Sequence, residues 1–327
     1  MQALHHLSLR PFSPPKWLKN RHLQTILPKF IKQPMPNYQR ETHFDSSGEV
    51  LVAYDFVFHS TKENQKTLAV MFHGLEGGSD SHYAKSFANG AKRHGFDAVV
   101  VHYRGCGGMQ NPSAKDYNAG DTTEVHHVLT NLQKPYDNLV AIGVSLGGNL
   151  LARYMGEYGE NALCQGAVIA SAPVDLTTSA VSMHRFVARH VYTPYLLNSL
   201  LKKVQDKIDD PELLKKIKEI KTLDKFDDLY TAPRHGYGTG QNYYQQASAL
   251  PVLTKICKPT LIITAKDDPF LGKIATPSDI SPTVRLLYSE HGGHVGFLDF
   301  DKQQRRFDNT WLARTVFCFF ENFSQSY

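Results

Sequence analysis

Short apolar runs alternate with amphipathic segments along most of the chain. The apolar runs lie at about residues 68–72, 98–101, 139–144, 167–170, 260–265 and 284–288. Segments with apolar residues at helical spacing lie between the first four runs, at about residues 81–94, 121–132 and 146–156. Strands that alternate with helices of this length predict an α/β fold with a mostly parallel, doubly wound sheet and helices on both of its faces.

Three further segments complete the predicted organisation. Residues 38–58 hold two strand-like stretches around a Ser-Ser-Gly turn, which predicts an antiparallel pair. Residues 173–251 are helical in character, with a leucine stripe opposite lysines, and they predict an inserted helical cap. A last, aromatic-rich helix is expected over about residues 308–323. The predicted division is an arm (1–37), an α/β core (38–172 and 252–327) and a helical cap (173–251).

The net charge of the chain comes from the arm. The 327 residues hold 36 basic and 31 acidic side chains, a formal charge of +5, and seven of the basic ones lie in residues 1–40, which have no acidic residue. The remaining chain is nearly neutral, whereas a nucleic-acid binder requires a basic face on its folded body. We therefore expect no nucleic-acid partner and an arm packed on its own domain. Contact of the arm with an acidic membrane surface is the weaker alternative.

The cysteines and the known cofactor motifs set further expectations. Four widely separated cysteines without a C-x-x-C pair predict reduced thiols and a cytoplasmic location. We expect no metal ion, because the cysteines lack the spacing of a zinc site and the adjacent histidine pairs are poor chelates. We expect no organic cofactor, since the chain has neither a P-loop nor a dinucleotide fingerprint. No apolar run approaches the roughly 20 residues of a membrane span, and no secretory signal is expected. The sequence makes no prediction of the oligomeric state.

The first chemical signal is the G-x-S-x-G pattern of residues 143–147, centred on Ser145. It lies between a predicted strand and a predicted helix. In this position the serine occupies a sharp turn, and its neighbours two residues away must be small for the backbone to close. The alternative is a glycine-rich turn that only lets the helix pack closely on the sheet. The context favours a nucleophilic serine.

A nucleophilic serine needs a histidine base, and the base needs an acid that orients it. In this fold class the order along the chain is serine, acid, histidine. The strand at 260–265 runs into Asp267 and Asp268, and the strand at 284–288 runs into His291 and His294. Both pairs follow strand ends, where open α/β sheets place their sites.

Within each pair one residue is preferred. Asp268 is the preferred acid because it directly precedes the chain-turning Pro269, and Asp267 is expected to bind loop backbone instead. His294 is the preferred base because two glycines before it should form a flexible loop that lets the imidazole lean over the serine. His291 is expected to be an ordinary surface or core histidine.

An oxyanion hole requires two backbone N–H groups directed at the developing negative charge. One predicted donor is the amide of Leu146, the residue after the nucleophile. The second is the amide of Leu75, in the glycine-rich loop after the first parallel strand. Gly74 has no side chain, which should let this loop approach the serine.

Several motifs together resemble the YheT-type α/β-hydrolases, an esterase family also called AB hydrolase 4. They lie at residues 22–25 (HLQT), 73–77 (HGLEG), 103–108 (YRGCGG), 143–149 (GVSLGGN), 242–244 (NYY), 265–270 (AKDDPF) and 290–297 (EHGGHVGF). The resemblance covers about residues 10–320. It implies an α/β-hydrolase fold with a helical cap, a triad of Ser145, Asp268 and His294, and carboxylic ester hydrolysis.

The predicted function is therefore a serine carboxylic ester hydrolase that acts through an acyl-enzyme. Aromatic residues of the predicted cap suit a short-to-medium apolar acyl group: Phe186, Tyr192, Tyr195, Tyr243 and Tyr244. Three alternatives remain open, one of which is a peptidase with the same fold. The same site could transfer the acyl group to an alcohol, as some members of the resembled family do. A catalytically silent ligand-binding protein on the same scaffold is disfavoured because every catalytic position is filled.

Overall fold

The computed structural model describes residues 11–59 and 67–324. Within these ranges eight strands form one sheet: β1 Gln39–Phe44, β2 Leu51–Val57, β3 Thr67–Phe72, β4 Asp97–Val101, β5 Asn138–Val144, β6 Gly166–Ala170, β7 Thr260–Ala265 and β8 Val284–Ser289. Their order across the sheet is β1-β2-β4-β3-β5-β6-β7-β8. The β1–β2 and β2–β4 pairs are antiparallel and the other pairs are parallel. The predicted antiparallel pair and mostly parallel sheet are confirmed.

Helices cover both faces of this sheet. The α-helices of the described residues are α1 Arg21–Ile26, α2 His82–His94, α3 Thr122–Gln133, α4 Leu146–Tyr158, α5 Leu176–Ser182, α6 Thr193–Val204, α7 Pro211–Lys218, α8 Leu223–Phe226, α9 Ala232–Arg234, α10 Gly240–Ala247 and α11 Trp311–Ser324. Successive side chains of a strand point to opposite faces. Leu68, Val70 and Phe72 of β3 therefore pack with α3 and α4, whereas Ala69 and Met71 pack with α2 and α11.

The chain between β6 and β7 is helical, as its leucine stripe predicts. Helices α5 to α10 lie here, and part of this segment has a small apolar core of its own, formed by Leu197, Val204, Ile208, Ile217, Phe226 and Tyr230. Leu197, Leu200 and Leu201 of α6 pack in this core, while Lys203 of the same helix reaches the loop after β3. The boundaries of the arm, core and cap stay a prediction.

The described part of the arm packs against the loop that follows β8. Asn20 caps α1, its side chain accepting hydrogen bonds from the N–H groups of His22 and Leu23. Gln24 is fully buried. Its Nε2 donates to the carbonyl oxygens of Leu18 and Leu298, at 2.9 and 2.8 Å, and its Oε1 accepts from the N–H of Leu298 at 2.8 Å. The first ten residues of the predicted arm lie outside the described residues.

The end of the chain differs from the prediction. The last helix begins at Trp311 rather than near Asp308, because two short strands, β9 Asp299–Asp301 and β10 Arg306–Asp308, form an antiparallel hairpin before it. Aromatic rings hold this hairpin: Trp17 of the arm lies 5.5 Å from Phe300, ring centre to ring centre. Within the described residues no helix combines the length and apolar character that a membrane crossing needs.

The Gln24 contacts lead to a prediction about stability. Replacing Gln24 by Ala leaves three buried backbone groups without their partner, and each such group costs roughly 1–3 kcal/mol. We expect Gln24→Ala to lower the free energy of unfolding by about 3 kcal/mol or more, measured by urea denaturation. Gln303→Ala, at an exposed glutamine of the hairpin turn, is the control and should leave the stability unchanged. Equal stabilities of both variants and the parent protein would contradict this role of Gln24.

Candidate active site

Ser145 occupies a strained turn between a strand and a helix. It follows the last residue of β5 and precedes the first residue of α4, with φ 55° and ψ −121°. A non-glycine residue in this region of backbone space carries strain of order 1–3 kcal/mol, which the surroundings must offset. The N–H of Ser145 donates to the carbonyl oxygen of Ala170 at 2.9 Å, and its own carbonyl accepts from the N–H of Asn149 at 3.0 Å. These bonds anchor the turn on both sides.

The two glycines that flank Ser145 allow this turn to form. A Cβ atom on Gly143 would lie 2.3 Å from the carbonyl oxygen of Gly147, and one on Gly147 would lie 2.3 Å from the carbonyl oxygen of Phe72. Both distances are far below van der Waals contact, so neither position has room for a side chain. The steric reason for the G-x-S-x-G spacing is thus visible as direct contact between backbones.

Ser145, His294 and Asp268 lie in one hydrogen-bonded chain. Nε2 of His294 is 2.9 Å from Oγ of Ser145. Nδ1 of His294 is 2.9 and 3.1 Å from the two carboxylate oxygens of Asp268. Asp268 is buried at the end of β7 and also accepts from the N–H of Phe270 at 2.9 Å. The structure therefore brings together the three side chains that the sequence analysis selected.

The two residues that the sequence analysis set aside pair with each other. Oδ1 of Asp267 accepts from the N–H of Gly293 at 2.9 Å, so this carboxylate binds loop backbone as predicted. Its other oxygen lies 3.5 Å from Nδ1 of His291. Burial raises the pKa of Asp267, and the bonds from Gly293 and His291 oppose that rise. Asp267 and His291 thus brace the loop that carries His294.

The loop that carries His294 is in direct contact with the arm. The N–H of His294 donates to Oγ1 of Thr25 at 2.9 Å, and the imidazole stacks on Phe270 with the ring centres 4.0 Å apart. Gly293 has φ 54°, and a Cβ there would lie 2.5 Å from the carbonyl oxygen of Arg21. Gly293 thus lets α1 pack directly on the loop, and the flexibility expected of the two glycines stays a prediction.

Thr25 is a residue of the site that is absent from the predictions made above. The signal was present in the HLQT motif of residues 22–25, of which Gln24 and Thr25 both bind the histidine loop and the segment after it. His22 of the same motif bonds to the helical segment between β6 and β7, with Nδ1 2.9 Å from the hydroxyl oxygen of Tyr192. The motif joins the arm to the histidine loop and to this helical segment.

The loop after β3 lies directly against the serine. A Cβ on Gly74 would be 3.0 Å from Cβ of Ser145, so a side chain there would force the loop away. The N–H of Gly74 is already occupied, because it donates to the hydroxyl oxygen of Tyr83 at 3.0 Å. Leu75 follows it, and Leu75 and Leu146 border the same cavity as Ser145.

Glu76, the next residue of this loop, is tied to the helical segment between β6 and β7. It has φ 55°, and its side chain is 4% exposed. Its carboxylate accepts hydrogen bonds from the hydroxyl of Tyr117 (2.8 Å), the ammonium of Lys203 (2.8 Å) and the hydroxyl of Ser199. Its N–H donates to the hydroxyl oxygen of Tyr117 at 3.0 Å. This cluster, which was not predicted from the sequence, joins a glycine-rich loop to α6.

A cavity of about 890 Å³ opens at Ser145 and His294. Much of its wall is apolar and comes from the segment between β6 and β7: Leu176, Ala180, Met183, Val191, Leu196, Leu200, Val204 and Phe226. Ile26 and Phe30 of the arm border it as well. Of the five aromatic residues predicted to suit the acyl group, Tyr192, Tyr195, Tyr243 and Tyr244 border the cavity, whereas Phe186 is exposed and does not, so its predicted contact with the acyl group is wrong. In the described residues no cluster of three or more histidine, cysteine, aspartate or glutamate side chains could hold a metal ion.

Comparison with known proteins defines the family. The family model of the alpha/beta hydrolase fold matches residues 69–301. The Escherichia coli (strain K12) protein YheT, whose name proposes an esterase, is 38% identical over 88% of this chain and 87% of its own. The "medium-chain fatty acid ethyl ester synthase/esterase 2" of Saccharomyces cerevisiae is 27% identical over 94% of this chain and 75% of its own. The esterase Pf2001 of Pyrococcus furiosus has the same fold, with a TM-score of 0.53 at 14% identity over 97% of this chain and 95% of its own.

The chain therefore belongs to the α/β-hydrolase family. The predicted fold class and the resemblance to YheT-type hydrolases are confirmed, and the relatives agree with the prediction of an ester-hydrolysing enzyme.

Proposed function

We propose that this chain, a carboxylic ester hydrolase, works through an acyl-enzyme formed on Ser145. As Oγ of Ser145 attacks the ester carbonyl carbon, Nε2 of His294 takes up the hydroxyl proton. The tetrahedral intermediate then expels the alcohol, which receives that proton from His294. A water molecule then attacks the carbonyl carbon of the acyl-enzyme while His294 takes up its proton. The second tetrahedral intermediate expels Oγ of Ser145, which receives that proton, and the carboxylic acid is released. Asp268 holds the imidazole with its N–H on Nδ1 and stabilises the imidazolium that forms.

The observation that supports this proposal is the 2.9 Å contact between His294 and a serine held in a strained turn. A serine with only a packing role would gain nothing from this backbone conformation, since a glycine turn would relieve the strain. The buried carboxylate on the far side of the imidazole completes the arrangement that a general base requires.

The amides of Leu75 and Leu146 are the proposed oxyanion donors. Leu146 is the first residue of α4, where backbone N–H groups point away from the helix and the helix dipole favours negative charge. Leu75 lies in the loop that contacts Ser145. The preceding N–H, on Gly74, is engaged by Tyr83, which leaves the Leu75 amide as the proposed second donor.

The proposed substrate carries an apolar acyl group of short to medium length. The aliphatic and aromatic side chains that line part of the cavity suit such a chain, since an apolar acyl group that packs against them is removed from water. The relative named as both a synthase and an esterase also supports transfer of the acyl group to an alcohol in place of water. Product analysis in the presence of added ethanol distinguishes the two acceptors.

The first prediction concerns the nucleophile. A fluorophosphonate should label the native protein at Ser145, because its hydroxyl is activated by His294. Ser145→Ala should remove the labelling and lower kcat/KM on a short-chain ester by about 10⁴-fold or more. Ser278→Ala, at an exposed serine, is the control and should behave like the parent protein. Labelling that persists in Ser145→Ala would show that another residue is the nucleophile.

The second prediction separates the two neighbouring aspartates. Asp268→Asn removes the carboxylate that orients His294, and we expect kcat to fall by about 10⁴-fold. Asp267→Asn alters a loop contact, so its kcat should stay within about tenfold of the parent value while its melting temperature falls. Steady-state kinetics and thermal melts of both variants provide the comparison. Similar losses of kcat in the two variants would reject the assignment of Asp268.

The third prediction concerns Glu76 as a positioning residue. Its bonds to Ser199 and Lys203 hold the backbone directly after Leu75. Hydrogen bonds that involve charged groups contribute about 1.5–3 kcal/mol. Lys203→Met should therefore lower kcat about tenfold or more with little change in KM, because the oxyanion forms only in the transition state. Steady-state kinetics on a short-chain ester provide the measurement.

Two companion variants make this test specific. Lys203→Arg keeps the charge and should recover part of the lost kcat. Lys202→Met removes an exposed lysine of the same helix and should have no effect. If Lys203→Met folds normally and keeps the parent kcat, Glu76 does not position the loop through this ion pair.

A further inference from the structure

Large apolar side chains are exposed in two segments that border the cavity. In the arm, Phe30 is 77% exposed, and in the segment from the end of α5 to the start of α6, Phe186 is 78% exposed. Other exposed apolar or aromatic residues of the same two segments are Leu23, Val181, Val191 and Tyr195. We call the exposed residues of 21–32 and 181–195 the mouth surface. A concentration of apolar side chains of this size is unusual on a protein surface that faces only water.

The two segments form one continuous surface. His22 bonds to the hydroxyl of Tyr192, and the ammonium of Lys29 lies 4.1 Å from the ring centre of Tyr195. Phe30 and Val191, one from each segment, border the cavity that contains Ser145. The mouth surface therefore surrounds an entrance to the proposed catalytic site.

Positive charge is interspersed among these apolar side chains. The exposed basic residues are Arg21, Lys29, Lys32, Arg185 and Arg189. Neither residues 1–40 nor residues 176–205 contain an aspartate or glutamate. Carboxylates lie near this surface as well: Asp224 is 3.2 Å from Nε2 of His184, Asp267 acts electrostatically on His22, and Glu76, Asp80, Asp116 and Asp227 border the cavity. The two mouth segments themselves carry these basic side chains and no acidic one, so the charge that they expose is positive.

Exposed aromatic rings mixed with lysine and arginine match the chemistry of an anionic membrane surface. At such a membrane surface, aromatic rings of a protein enter the boundary between headgroups and acyl chains, while its basic groups bind lipid phosphates. We propose that the mouth surface docks on an anionic lipid bilayer, so that an acylated lipid passes into the cavity without crossing water. Passage of the lipid rests on the proposed function, whereas docking rests on the surface alone.

The charge and the rings together identify the occupant. A partner protein could cover the apolar side chains, but nothing in the described residues selects one. The charged side chains of the two mouth segments are all basic, so a second copy placed face to face would bring like charges together. An anionic bilayer satisfies both the apolar and the basic side chains at once.

The test is co-flotation of the protein with vesicles of phosphatidylcholine, with or without phosphatidylglycerol. We expect the full chain to float with the anionic vesicles and at least tenfold less with the neutral ones. Two double variants alter the mouth surface at residues that do not border the cavity: Val181→Ser with Phe186→Ser, and Arg185→Gln with Arg189→Gln. Each should reduce binding to anionic vesicles at least tenfold.

Matched controls change the same residue types elsewhere. Phe44→Ser replaces a 56% exposed phenylalanine of β1, and Lys215→Gln with Lys216→Gln removes two exposed charges of α7. Both controls should bind vesicles like the parent protein. Thermal melts establish that every variant is folded. Failure of the parent protein to float with anionic vesicles, or equal losses in the controls, would overturn the proposal.

Further measurements separate this proposal from its alternatives. Light scattering without vesicles gives the mass of the particle. If Val181→Ser with Phe186→Ser converts a dimer to a monomer, the surface is an interface between copies and the proposal fails. Ser145→Ala should bind vesicles as the parent protein does, and the mouth variants should keep the parent activity on a water-soluble short-chain ester. If the parent protein has no activity on this ester, the proposed function is rejected, whereas the vesicle-binding result is unaffected.

Discussion

The site depends on direct contact between backbones beneath Ser145. The helix after the serine can begin only where it does because Gly147 lies against the carbonyl oxygen of Phe72 and Gly143 against that of Gly147. This contact fixes the start of α4 relative to both β3 and β5, which are neighbours in the sheet. The loop after β3 is thereby placed beside the serine. One steric constraint thus determines the strained turn and the position of both proposed oxyanion donors.

His294, the proposed base, comes to this turn from strands that lie further along the same sheet. Asp268 and His294 follow β7 and β8, which are adjacent and parallel, so their carboxyl ends meet at the same edge as that of β5. The strands alone do not fix the imidazole, however. Its loop is held by Thr25 and by the close approach of α1 at Gly293, while Phe270 covers one face of the ring. The arm is therefore part of the framework of the site.

Local signals explain how much of this could be predicted from the sequence. The strands are short buried runs, and the choice of Ser145, Asp268 and His294 needs only a motif, an order along the chain and strand ends. The pairing of Glu76 with Lys203 joins residues 127 positions apart, and no local pattern marks it. The hairpin before α11 was not predicted because it too depends on contacts between residues far apart in the sequence. Its short strands are stabilised by ring contacts with Trp17 at the opposite end of the chain.

The basic arm combines two roles that its composition alone does not separate. Its buried side, through Gln24 and Thr25, binds the segment that carries His294. Its exposed side contributes Lys29 and Phe30 to the mouth surface. Because both sides belong to α1 and the turn after it, the arm cannot act as a detachable tether. Any partner that binds the exposed side makes contact within the same short segment that holds the loop of His294. Binding at the mouth surface and the position of this proposed base therefore depend on the same segment of the arm.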